Sequence, residues 1–372
     1  MGEKKELVRS YMAQGLTRNK ALSICKISKN QFYYKETGGK RGRKRSKTSM
    51  QLVNGVEIEK SNHLVVEFIK SIFENPKIDY GYRKITSELQ LSGFVINHKK
   101  VYRLMKAARL LRQKKEREPK NYVQYRIVCP VSPLRLIEMD IKQVWLVTER
   151  RYAYILTVID VFTRFVLNWT CGYHMKQEKV QEVWMQIIED YLQPWGDLAW
   201  DVDIEVRSDN GPQFCAKKLQ DFLKKNYLMQ TFTHPYTPQE NGHVESFHAI
   251  LSKDLQGKSF DNLDCLENSL KEFYDFYNFE RIHGSTLHLP PTTFWHQWEL
   301  GNVHREVIDI NKRKVKFSLN IKKQLIQKVK LSGNRNQREV LSQNFEGFNT
   351  SPSKLGVIDP INFTLSKQTA PN

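Results

Sequence analysis

The stretch from Leu134 to Trp169 constrains this 372-residue chain more than any other. Three apolar runs of strand length follow one another there: Leu134–Ile141, Tyr152–Ile159 and Arg164–Trp169. They are rich in Ile, Val, Tyr and Phe and the gaps between them are short, which predicts an antiparallel meander. Residues 176–192 then place Val180, Val183, Trp184, Ile187, Ile188 and Tyr191 at helical spacing. Ile204 and Val206 alternate as a fourth strand, residues 215–226 read as a helix, and Leu228–Thr233 as a fifth strand. Residues 241–256 read as a helix with Val244, Phe247, Leu251 and Leu255 on one side.

The order βββαβαβα, with three antiparallel strands leading, predicts an RNase H-like α/β core over residues 131–300, a mixed five-stranded sheet with helices. What surrounds this core differs from it in charge. Residues 1–130 hold 30 basic and 11 acidic side chains, residues 131–300 hold 16 and 24, and residues 301–372 hold 13 and 5, within a net charge of +19. Basic flanks suit a polyanion such as double-stranded DNA, because each phosphate contact releases a counterion. An acidic middle calls for its own reason, and carboxylates that hold divalent cations supply one.

Several classes are disfavoured. No run of about 18 apolar residues is present, so no membrane span is expected. The opening MGEKKELVRS lacks the apolar region of a secretory signal. Cys25, Cys129, Cys171, Cys215 and Cys265 are far apart and form no CxxC pair, which argues against a disulfide framework or a zinc ribbon. A reducing compartment is the expected setting.

Residues 1–37 read as a helix-turn-helix. Leu7, Val8, Tyr11 and Met12 recur at helical spacing and Gly15 ends that helix. Thr17 caps a second helix with Ala21 and Leu22, and Ser28 caps a short third with Gln31, Phe32, Tyr33 and Tyr34. Such a third helix can enter a major groove, with Gln31 and Tyr33 as the expected DNA contacts; a plain three-helix bundle has the same pattern. Residues 38–61 read as a basic flexible linker, in which Arg41, Arg43, Lys44 and Arg45 are expected to touch phosphate. Residues 62–112 read as a second helix-turn-helix-like unit. Leu64, Val65, Phe68, Ile69, Ile72 and Phe73 make one stripe, Tyr80-Gly81-Tyr82-Arg83 opens the next helix, and Asn97 caps the last. Lys99, Lys100 and Arg103 give that last helix a basic face, for DNA or for solvent. Residues 113–130 are a charged linker.

Three acids stand out in the middle. Asp140 lies inside an apolar strand, where a charge is costly unless compensated. Asp209 ends the fourth strand in SDNG, and Glu245 lies near the start of the following long helix. Three converging carboxylates repel one another and need cations, and an all-oxygen donor set selects Mg²⁺ or Mn²⁺ over zinc. Two such ions can clamp a scissile phosphate. Among rival acids, Glu240 falls in a loop, Asp201 and Asp203 precede a strand, and Glu138 points to the same sheet face as Asp140, as a neighbour of the site. His243 and His248 flank Glu245; His248, one helical turn on, reads either as a contact to DNA or the site or, more commonly, as a packing or surface histidine.

With 35 residues between Asp209 and Glu245, this pattern resembles the integrase core of bacterial insertion-sequence transposases of the IS3 type and of retroviral integrases. SDNGPQF, ENGHVESFH, Asp160 in DVFTR, Tyr277-Asn278, Arg281, His283 and Pro290-Pro291 carry the resemblance, which spans about residues 60–298. It implies that Asp140, Asp209 and Glu245 are catalytic and bind two ions, and that Asp160 is structural. The family's basic residue after the glutamate falls on Ser252 here; Lys253, one further, is taken as a DNA contact. The family's threonine after the first aspartate is Lys142, and retroviral zinc-unit cysteines and histidines have no counterpart. The resemblance implies a DNA transposase that binds terminal inverted repeats, then cleaves and joins strands as at least a dimer in a synaptic complex. The same acids would serve an RNase H-like nuclease or resolvase that cuts without joining, or sit idle in a DNA-binding regulator.

Residues 301–372 form a small basic C-terminal region. Val315, Phe317, Leu319 and Ile321 alternate as one strand, and residues 332–372 read as extended.

Overall fold

The computed structural model describes residues 2–34, 45–112, 129–194, 198, 203–234, 238–309 and 314–329. The chain divides into two compact units after Lys47. In the first, helices α1 (Gly2–Ala13), α2 (Arg18–Ile24) and α3 (Lys29–Tyr33) pack on Val8, Ala21, Leu22 and Ile27. Gly15 takes a φ of +92°, the left-handed conformation that ends α1 cheaply. Ser28 and Gln31 form a reciprocal capping box at α3, whereas Thr17 occupies the N-cap of α2 without a side-chain bond.

The second unit opens with a hairpin, β1 (Thr48–Val53) and β2 (Val56–Ser61). This corrects the expectation of a flexible linker over these residues. They fold because Asn54-Gly55, both at positive φ, makes a two-residue turn between alternating apolar positions. Helices α4 (Asn62–Phe73) and α5 (Tyr82–Leu91) follow, then β3 (Phe94–Val95), which pairs with β1, and α6 (His98–Ala107). Asn97 caps α6 by accepting from the Lys100 amide. Val65, Ile69, Tyr80, Ile85, Leu89, Phe94, Val101 and Met105 form the buried centre of this helical part.

The main sheet contains β4 (Leu136–Leu146), β5 (Arg151–Asp160), β6 (Val166–Gly172), β7 (Ile204–Ser208) and β8 (Leu228–Phe232) in the order β6-β5-β4-β7-β8. β4, β5 and β6 are antiparallel neighbours, while β7 runs parallel to β4, and β8 parallel to β7. This is the RNase H-like topology read from the sequence. Helix α7 (Gln177–Ile187), continued by a π turn to Leu192, and helices α8 (Pro212–Cys215) and α9 (Lys217–Lys225) cover one face through Met139, Leu156, Val158, Trp184 and Leu223. Helices α10 (Gly242–Leu255) and α11 (Leu263–Asp275) cover the other through Ile155, Ile159, Val244, Phe247 and Tyr274. The two faces use alternate residues of β5, as the strand period requires.

Helix α12 (Pro291–Glu299) leads to β9 (Val303–Asp309) and β10 (Lys314–Leu319). The sequence predicts one strand here; the structure has an antiparallel pair. Phe317 packs 5.3 Å from both Phe162 and Phe294, which seats the pair on the core. Beyond it, the Lys323 ammonium donates to Ser87 Oγ at 2.9 Å, and Lys328 pairs with Glu88. Among the described residues, no helix is long and apolar enough to cross a membrane, and all five cysteines are free thiols.

Candidate active site

Strand β4 alternates, sending Ile137 and Met139 toward α7 and Glu138 and Asp140 toward α10. In the parallel pairing of β4 with β7, Glu138 stands opposite Arg207. Asp140 and Asp209 each follow two residues later, Asp140 within β4 and Asp209 just past the end of β7, on neighbouring strands spaced about 5 Å apart. Glu245 lies in the first turn of α10, the helix against which Asp140 packs. The charges are close enough to act on one another. Burial raises the pKa of Asp209 and the Asp140 charge adds to it. Glu245 is raised by burial, then by Asp140 and Glu138.

The acids do not converge on a point. Asp140 Oδ1 accepts from the Ile141 amide at 2.8 Å, and Oδ2 lies 3.2 Å from Nδ1 of His248. Asp209 Oδ1 accepts from the Gly211 amide at 3.1 Å, closing an Asx-type turn. Among the described residues, no three His, Cys, Asp or Glu side chains form a ready metal-binding group.

The elements carrying the acids are tied together by other side chains. Glu138 is fully buried, and its Oε2 accepts from the amides of His243 and Val244 at 3.0 and 2.9 Å. Its Oε1 lies 2.8 Å from Nδ1 of His243. Asn241 Nδ2 donates to Met139 O at 3.4 Å. Arg207, also buried, donates to Glu240 O at 2.9 Å and to Glu205 Oε1 at 2.8 Å. Glu240 in turn accepts from the His234 amide and contacts its Nδ1, so this rival acid is occupied in holding the turn before α10.

The family-like aspartate Asp160 differs from the three. It is fully buried, and it accepts from the Leu134 and Thr163 amides at 3.0 and 2.7 Å and from Thr163 Oγ1 at 2.5 Å. The downstream pattern is used for docking. Asn278 exchanges two hydrogen bonds with the Val166 backbone, and Arg281 lies 3.3 Å from Asp79.

Both histidines touch acids of β4, because α10 lies along that strand; for His248, which meets Asp140, this is the contact with the site that is its alternative reading. The expected DNA contacts differ in their surroundings. Gln31 is exposed, but its amide is engaged in the α3 cap; Tyr33 is half-exposed and its hydroxyl accepts from Arg18 at 3.3 Å. Arg45 and Lys99 are exposed and Arg103 is partly buried. Lys100 is buried and donates to Thr48 O, which puts it inside the helical part rather than on its outer face. Lys253 pairs with Asp79 beside an open cavity of about 440 Å³ that Lys77, Lys258 and Arg281 also line. Arg41, Arg43, Lys44 and Asp201 lie outside the described residues. The ties made by Glu138 and Arg207 were not read from the sequence. The pair of acids at i and i+2 in an apolar strand, Glu138 and Asp140, was the signal for the first.

Residues 130–238 and 228–291 each match an integrase core domain model, and residues 59–118 match an HTH-like domain model. The chain therefore contains an integrase core preceded by an HTH-like domain. It is similar to transposases of bacterial insertion sequences, those of IS904, IS150 and IS3fB among them. It is 24% identical over 245 residues to the transposase for insertion sequence element IS904 of Lactococcus lactis, covering 62% of this chain and 93% of that protein. It is 25% identical over 244 residues to transposase InsF for insertion sequence IS3fB of Escherichia coli, covering 62% and 81%. Among solved structures, the catalytic core of BIV integrase matches with 22% identity and a TM-score of 0.34, over 45% of this chain and 97% of that one. The HTLV-2 integrase core in complex with magnesium matches with 16% identity and a TM-score of 0.31, over 42% and 93%.

Proposed function

We propose that this chain is a DNA transposase whose helical units bind the terminal inverted repeats of its element and whose core cleaves and joins DNA strands. The observation that carries this reading is that Asp140, within β4, and Asp209, just past the end of the parallel neighbour β7, lie beside the helix that bears Glu245. Each of these acids is a hard oxygen donor, and the charge of Asp140 that raises Asp209 and Glu245 is what a divalent cation relieves. The donor set thus fits Mg²⁺ or Mn²⁺, held by Asp140, Asp209 and Glu245. When bound, two such ions would neutralise the scissile phosphate and polarise the attacking and leaving oxygens.

The chain's own residues do the rest. Asp140 sits on the central strand and is the least movable of the three. Asp209 and Glu245 sit just past a strand end and in a first helical turn, and their side chains would turn toward Asp140 to share a cation. The basic residues of the helical parts supply phosphate contacts, which anchor DNA without reading it. Two ends must be joined, so the working form is at least a dimer.

The test uses a supercoiled plasmid that carries the coding sequence with its native flanking DNA. Asp209→Asn and Glu245→Gln should abolish both cleavage and joining while retaining binding to the flanking DNA. Joining that persists in both variants overturns the site. Cleavage without joining by the unaltered protein would instead identify a nuclease.

A further inference from the structure

We infer that Glu138 is a positioning residue, the side chain that fixes helix α10, and with it Glu245, against the strand that carries Asp140. The inference rests on the transposase reading of the site and adds to it a residue outside the acid triad.

Four observations support it. Glu138 and Asp140 are two residues apart, so they share one face of β4 and both meet α10. Glu138 meets the helix at its first turn, through the amides of His243 and Val244. Asp140 meets it one turn further on, through His248. Strand and helix are therefore joined by side-chain polar contacts at two points, with Glu245 between them in sequence. A helix start leaves amides without intrahelical partners, and Asn241, at the N-cap, makes no side-chain cap bond. The carboxylate that caps α10 comes instead from the neighbouring strand, 105 residues before His243 in the chain. A local cap would fix only the helix; this one fixes the helix to the sheet. Because Glu138 is fully buried and both of its oxygens are engaged, it has little freedom to turn toward a ligand.

Substitutions at Glu138 separate positioning from ligation. In Glu138→Gln, the amide oxygen can take the place of Oε2 and accept both backbone N–H groups. The amide NH₂ can then donate to Nδ1 of His243, whose proton moves to its other ring nitrogen. Glu138→Leu fills the space and accepts nothing. The measurements are plasmid cleavage and joining across a Mn²⁺ titration, binding to the flanking DNA, and thermal melting, with Asp209→Asn run beside them.

Glu138→Leu should lower cleavage and joining about 30-fold and raise the Mn²⁺ needed for half-maximal activity about tenfold, the size seen when an outer-shell partner is lost. DNA binding should stay within about twofold, since phosphate contacts elsewhere carry it. Glu138→Gln should restore activity to within about threefold of the unaltered protein. Full activity in Glu138→Leu overturns the inference. So does a folded Glu138→Gln as inactive as Asp209→Asn, since the negative charge itself would then be required. If Glu138→Leu fails to fold, the glutamine variant still decides. Should Asp209→Asn keep joining DNA, the transposase site fails instead, whatever Glu138 does.

Discussion

Two clusters of charge in the second unit are built on opposite terms. At the sheet rim, the charge of Asp140 adds to burial in raising the cost of ionising Asp209 and Glu245, and the pairing found there is of Asp140 with a histidine. At the seam between the helical part and the core, Asp79 is held by Lys253 and Arg281. Burial there pushes the Asp79 pKa up, but the hydrogen bond from Lys253 and the charges of Arg281 and Lys253 outweigh it and bring it to about 2. The seam is closed electrostatically and serves the fold. The rim is left open, a state that costs stability and that an added cation would relieve.

The sharpest way to break this contrast is at the rim. Asp209→Asn should cut DNA joining about a thousandfold or more, as loss of a metal-binding carboxylate does. Its melting temperature at pH 7 in metal-free buffer should equal or exceed that of the unaltered protein. The sign follows from the raised pKa. The ionised acid destabilises the fold as pH rises above its unfolded value, so the gain on neutralisation appears toward neutral pH and disappears in acid. A clear fall in melting temperature would mean that the rim acid is structural.

Asp160 supplies the control on the same sheet. Asp160→Ala leaves two amides and a hydroxyl without their acceptor and should cost about 3 kcal/mol by denaturant unfolding. At the seam, Asp79→Asn should cost about 1–2 kcal/mol at pH 7, after allowance for a side chain that is 28% exposed. Here the pKa is depressed, so the stabilisation is present above the unfolded value of 3.8 and lost as pH falls through about 2. Melting curves of the two proteins should converge there. The smallest effect expected is from Mg²⁺ alone, which should stabilise the unaltered protein by about 1 kcal/mol at roughly five times Kd and leave Asp209→Asn unmoved.

Much of the core was legible because its strands are apolar enough to be read without partners. The five runs ending near Ile141, Ile159, Trp169, Val206 and Thr233 all became strands of the main sheet, with ends shifted by a few residues. The hairpin at residues 48–61 was hidden by the basic run before it, although Asn54-Gly55 between alternating residues is a strong turn signal. Strand β9 was missed because its exposed residues, such as Val307 and Ile308, give no clear inward face without β10 beside them. At the site, the acids could be proposed from their types and spacing. Glu138 was legible as a neighbour of Asp140, and His248 had the site among its readings, but their partners were not legible, since these lie about a hundred residues away and only the packing of α10 on β4 joins them.

The return of residues 322–329 onto α5 has a consequence for geometry. Lys323 reaches both Ser87 and the Leu287 carbonyl, and Lys328 reaches Glu88, so one short segment grips the helical part and the core together. It acts as a buckle beside the Asp79 seam. A chain shortened to residue 300 would lose these ties and leave the contacts of Asp79 with Lys253 and Arg281 to hold the helical part against the core.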